Sequence, residues 1–153
     1  MRYIIFFTIV FIFFAEAKEM NSLFGIKIGQ SISELKIIEC RKYQNIKSCR
    51  IIPKFNMYNL EYFYIVPEKK RVVSVFGQKD FLYPQYCLAN LEAIKEGITN
   101  DYNVLFSDFP DKDKVGYIGK SGRNTVIIYC TVIKVLDIKT YNLTVMLIGS
   151  NNL

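Results

Sequence analysis

The chain has 153 residues, with 20 Lys and Arg against 14 Asp and Glu, a net charge of +6 and no histidine. Lacking histidine, it excludes Ser-His-Asp and Cys-His catalysis, His-based zinc sites and the HExxH motif. Its cations are spread along the sequence without a block of five or more, which excludes a basic nucleic-acid arm.

Residues 1–17 read as a cleavable signal peptide. Met1-Arg2 gives a positive start and Tyr3–Phe14 a nearly unbroken apolar run. Ala15-Glu16-Ala17 then sets small residues at the −3 and −1 positions. The run is shorter than the roughly 20 residues that span a bilayer. The mature chain, residues 18–153, is expected to be one domain, periplasmic or secreted. It holds no second long apolar run, so no integral membrane segment is expected after cleavage.

Ser22–Ile28 is a short apolar stretch carrying Gly25. Ser31 and Glu34 form an S-x-x-E capping box, and the spacing of Ile32, Leu35 and Ile38 predicts a first helix from Ile32 to about Glu39. Ser48–Ile52 is a strand candidate ended by Pro53. Tyr58–Val66 alternates as a strand, Pro67–Lys70 is a four-residue turn, and Arg71–Gly77 returns. Pro84–Tyr102 is the clearest helix, with Cys87, Leu91, Ile94 and Ile98 on one stripe and Leu88 beside it. Val104–Phe106, Val115–Gly119 and Asn124–Ile133 are further strands, and Val135–Lys139 and Tyr141–Ile148 finish the sheet as a hairpin about Lys134–Lys139. The expected fold class is α+β: an antiparallel sheet packed on two helices, with an outline of two halves of a helix and three strands each.

Four cysteines, Cys40, Cys49, Cys87 and Cys130, read as two disulfides in an exported chain. Three pairings are open. Cys40–Cys49 closing a local loop and Cys87–Cys130 tying the helix to a strand is the preferred one. No CxxC spacing points to redox chemistry or metal, and no motif calls for a cofactor.

Carboxylates offer the remaining catalytic route, a histidine-free hydrolase. Glu92 and Glu96 stand four apart on the second helix, opposite its apolar stripe. Asp108, Asp111 and Asp113 cluster in a loop among lysines. Both patterns fit solvated surface charge better than an acid–base pair, and Asp111–Asp113 lacks the glycine and distal glutamate of a calcium loop. The Asn142-Leu143-Thr144 sequon falls in a strand and reads as coincidence.

Aromatics make up 15% of the chain, with 11 Tyr and 12 Phe. Tyr58, Tyr62 and Tyr64 occupy one predicted strand. Phe81, Tyr83 and Tyr86 cluster where the second helix begins. Tyrosine buries much area at low entropy cost, so these six are the candidate partner-binding residues.

The phrase Leu23-Phe24-Gly25-Ile26-Lys27-Ile28-Gly29-Gln30-Ser31, followed by Leu35, resembles the opening of small Gram-negative periplasmic proteins. So does Cys87-Leu88-x-x-Leu91 entering a helix that ends at Asp101-Tyr102, with a later strand bearing Cys130. The outline is similar to the BamE and β-lactamase-inhibitor-protein class of folds. That resemblance implies a binding, assembly or inhibitor module, and some proteins of this kind are immunity proteins that neutralise a secreted toxin. The chain departs from BamE in having no lipid-attachment cysteine at the cleavage point. The expected function is therefore a non-enzymatic periplasmic binding protein that covers an acidic effector or enzyme. A cell-envelope assembly or surface-binding factor is the second reading.

Overall fold

The computed structural model describes residues 18–150. The signal peptide expected at 1–17 lies outside the described residues. A tight hairpin, β1 (Ser22–Leu23) with β2 (Ile26–Lys27), leads into a single 3-10 turn at Ile32–Glu34. Four strands follow: β3 (Ile37–Tyr43), β4 (Ile46–Ile51), β5 (Tyr62–Glu68) and β6 (Arg71–Phe81). Helix α1 (Pro84–Tyr102) crosses to the far edge. There β7 (Leu105–Asp108), β8 (Lys114–Ser121), β9 (Asn124–Val135) and β10 (Ile138–Ile148) meander back. The sheet is antiparallel in the order β3-β4-β5-β6-β10-β9-β8-β7. It is two four-stranded meanders joined where β6 pairs with β10.

This corrects the expected α+β arrangement. The protein is mainly β, with one α-helix among the described residues, and the two helix-plus-three-strand halves do not exist. The helix expected at Ile32–Glu39 stops after one turn. Ser31 Oγ accepts from Ser33 N–H at 3.4 Å, and Leu35 N–H donates to the Ile32 carbonyl at 3.2 Å, but the turn goes no further. Glu34 does not close the capping box; it accepts from Gln30 Nε2 at 3.0 Å. Ile37 and Ile38 are β-branched and stiff at χ1, which favours the strand. Cys40 then pairs directly across from Cys49 in β4 and is disulfide-bonded to it, with a Cα–Cα distance of 4.0 Å. Ile38, the third member of the supposed stripe, is 55% exposed.

Two turns are also tighter than expected. β5 and β6 are joined by Lys69-Lys70 alone, both left-handed at φ 46° and 63°. This is the backbone of a two-residue hairpin turn that normally prefers Asn-Gly. β9 and β10 are joined by Leu136-Asp137, with Leu136 at φ 55°.

Helix α1 lies where the sequence places it, with Cys87, Leu91, Ile94 and Ile98 buried. The Cys87–Cys130 disulfide fixes it to β9. Strand alternation then puts Val126, Ile128 and Cys130 of β9 on the helix side, with Leu143, Val145 and Leu147 of β10 opposite them. The N-terminal segment fills the rest of this core. The ring of Phe24 meets Phe63 edge-on at 4.9 Å. Gly77 makes room for it: a Cβ there would stand 2.7 Å from Leu60 and 2.8 Å from the Phe24 ring. Met20 N–H donates to Ser121 Oγ at 2.6 Å, and Asn124 Nδ2 donates to the Met20 carbonyl at 3.0 Å, so this segment is anchored to the β8–β9 turn.

The disulfides close loops of different length, with sequence separations of 43 and 9. Chain-entropy scaling makes the longer one worth about 4 kcal/mol and the shorter about 3 kcal/mol. Urea unfolding of Cys87→Ala/Cys130→Ala is expected to show the larger loss. Leu91→Ala, a fully buried contact of the helix, should cost about 2–5 kcal/mol in the same assay.

Candidate functional site

Among the described residues, helix α1 and the N-terminal segment pack on the same side of the sheet. Helix α1 is bonded to Cys130, and Phe24 and Leu60 approach Gly77. The register places Cys130 and Gly77 on the same face, through Leu143 and Val145 of β10. The opposite face carries no covering helix or strand layer among the described residues. We call it the outer face.

Register assembles that face into rows. One row runs Arg50, Tyr64, Phe76, Met146, Ile127 and Ile118, across β4, β5, β6, β10, β9 and β8. Tyr64 and Phe76 are stacked at 5.0 Å. The adjacent row runs Tyr62, Gln78, Thr144 and Tyr129. The Arg50 guanidinium lies 5.4 Å from the Tyr62 ring centre, linking the two rows at one edge. At the other edge Phe109 stacks on Tyr129 at 5.6 Å. Lys114 Nζ stands 5.1 Å from the Tyr129 ring and 5.6 Å from Phe109. Cation–ring contacts of this kind are favourable at exposed sites and strengthen when a partner excludes water.

Between the aromatic ends lies a polar ladder. Gln78 Nε2 donates to Thr144 Oγ1 at 3.1 Å, Thr144 Oγ1 donates to Asn142 Oδ1 at 2.9 Å, and Asn142 Nδ2 donates to Asp80 Oδ1 at 2.8 Å. Asn142 and Thr144 are buried beneath their neighbours, so the sequon sits in a central strand and its asparagine is engaged. A satisfied buried network of this kind holds its members in fixed positions.

The β3–β4 hairpin extends the outer face at its edge. β4 pairs with β5 only at Cys49↔Ile65 and Arg50↔Tyr64. The outer half of the hairpin therefore projects as an arm, stapled at its base by Cys40–Cys49. Arg41 shares the outer side with Arg50, and Lys42 faces Lys47 directly across the strands. Among these cations Arg41 is paired with Glu39 at 3.1 Å.

The six tyrosines and phenylalanines singled out from the sequence separate into three places. Tyr62 and Tyr64 lie on the outer face, half-buried. Tyr58 precedes β5 and turns inward: its ring meets Phe24 edge-on at 6.2 Å, and burial pushes its hydroxyl up to about 12, helped by the nearby Tyr102 and Asp101. Phe81 is packed against the core on the helix side. Tyr83 and Tyr86 are exposed at the start of α1, ring to ring at 6.1 Å. The face therefore unites two of the six and adds Arg50, Phe76, Phe109 and Tyr129. Those additions follow from cross-strand register, which periodicity in one strand does not reveal.

The carboxylates do not converge. Tyr117 OH donates to Glu92, whose other oxygen is 3.6 Å from Lys95 Nζ. Asp111 is held below the usual carboxylate range by a hydrogen bond from Lys114, at 2.9 Å, and by the Asp113 amide. Among the described residues no group of three or more Cys, Asp or Glu is arranged to hold a metal. A cleft of about 570 Å³ lies at the end of the sheet by the Lys69-Lys70 turn and mixes Glu19 and Glu68 with Lys69, Arg71 and Arg123. There Arg71 Nη1 is engaged with the Gly29 carbonyl at 2.8 Å.

The position of Tyr58 has a measurable consequence. Its folded pKa lies above the ordinary value of 10, so its share of stability is complete below pH 10 and is lost as pH rises toward 12. Urea midpoints at pH 9 and pH 11.5 should fall more steeply for the wild-type chain than for Tyr58→Phe.

The two disulfides fit an oxidising compartment, and no described helix is long and apolar enough to cross a membrane. In comparisons with known proteins, no family model, no curated protein and no solved structure matches this chain.

Proposed function

We propose that the protein is a non-enzymatic binding module of the periplasm or extracellular space, acting as an inhibitor or immunity protein against an acidic effector. It does so by laying its outer face over the partner. The observation that carries this reading is the uncovered row Arg50–Tyr64–Phe76 with Tyr62 beside it. Stacked aromatic rings with an arginine at their edge have the composition of interface hot spots. They are pre-ordered by the strands, so little entropy is lost on binding. On the projecting arm Arg41 lies on the outer side, and Lys42 and Lys47, on the opposite side, add to the long-range positive field that speeds encounter with an acidic surface.

Two measurements test this. Immobilised protein is expected to retain one tight partner from cells that release such effectors, and the partner's activity should fall in the complex. Tyr62→Ala/Tyr64→Ala should weaken that complex at least ~30-fold. Arg50→Glu should weaken it and flatten its dependence on salt. A complex that forms without loss of the partner's activity ends the inhibitor reading. A complex indifferent to all three substitutions ends the assignment to the outer face.

A further inference from the structure

The β9–β10 hairpin runs on past both of its neighbours. The ladder with β8 ends at Lys114↔Thr131, and the ladder with β6 ends at Phe81↔Tyr141. Residues 132–140 therefore project as a free two-stranded finger, paired only within itself. Its two sides differ. Cys130 faces the helix, so alternation puts Lys134 and its cross-strand partner Lys139 on the helix side. Ile133, Val135 and Ile138 then lie on the outer side, continuous with the outer face. Val135 and Ile138 are each 63% exposed, and Leu136 at the tip is 87% exposed.

This arrangement works against the isolated molecule. Like charges directly opposite one another destabilise a strand pair, and Lys134 and Lys139 take part in no ion pair seen among the described residues. Apolar side chains on a hairpin with two open edges invite association. Both features are relieved by an occupant that is apolar along one side of the finger and acidic along the other. Asp137, next to Leu136 at the tip, separates a protein from a bilayer. A carboxylate is penalised in hydrocarbon and repelled by anionic headgroups, whereas a protein satisfies it with a hydrogen-bond donor.

We infer that the β9–β10 finger is a second docking element, seating Val135, Leu136 and Ile138 in an apolar slot rimmed by carboxylates on the protein that the outer face binds. This rests on the binding reading above and adds the chemistry of the partner's surface. The test compares full-length wild type with Val135→Ser/Leu136→Ser/Ile138→Ser and with Lys134→Glu/Lys139→Glu. All these positions are exposed, and circular dichroism checks that folding is retained. Affinity for the partner retained by wild type is expected to fall at least ~10-fold in each variant. A photo-crosslinker at position 136 is expected to mark apolar residues flanked by Asp or Glu. Wild-type affinity in both variants overturns the finger and leaves the outer-face reading standing, while failure of wild type to retain any partner removes both. Cosedimentation with phosphatidylglycerol–phosphatidylcholine vesicles that the Ser variant abolishes overturns the protein slot in favour of a lipid surface. Dimerisation in sedimentation velocity, lost in the same variant, overturns it in favour of a second copy.

Discussion

The attachment of α1 to β9 decides the character of every other surface. A single sheet has two faces, and the described residues contain one long helix, with a single apolar stripe, to cover them. By bonding Cys87 to Cys130, the fold commits that helix, and the N-terminal segment with it, to the same face. Burial follows from the commitment: Leu143, Val145 and Leu147 become core, while Met146 and Phe76 one position away do not. The outer face is what remains, and its chemistry is mixed in a way a core never is. Aromatic rings, an arginine, a lysine and a polar ladder share it.

The projecting hairpins follow the same logic of unequal coverage. Both carry facing lysines, Lys42 with Lys47 and Lys134 with Lys139. Such pairs cost stability within the protein and discourage edge-to-edge pairing with another copy. Both also expose apolar side chains beside the charge: Tyr43 and Ile46 face each other at the tip of the arm, and Val135 and Ile138 at the tip of the finger.

The legible parts of the sequence were those where a signal was long and unambiguous. Pro84–Tyr102 repeats its apolar stripe through four buried residues, and proline marks its start, so both bounds could be read. The disulfide pairing followed from a short loop and an inward-facing helical cysteine. The segment after Ser31 was not legible. Three apolar residues and a capping box fit a helix, but they equally fit one 3-10 turn followed by β-branched residues. Only the cross-strand partner Cys49 decides between them. The site was half legible for a related reason. Composition marked the tyrosines of β5, but which side each faces depends on register against β6, and Tyr58 lies just outside the strand. Phe76 and Tyr129 gain meaning only from the neighbours that pairing gives them.

The join between β6 and β10 carries a consequence for how the molecule comes to exist. Each meander is built from neighbouring hairpins, which close quickly because their ends are near in sequence. The seam between them brings Ser74 to Ile148 and Phe81 to Tyr141, across most of the second half of the chain. The core cannot seal until β10 is delivered, so during synthesis the first meander waits with its β6 edge unpaired until the last strand of the sheet has been made.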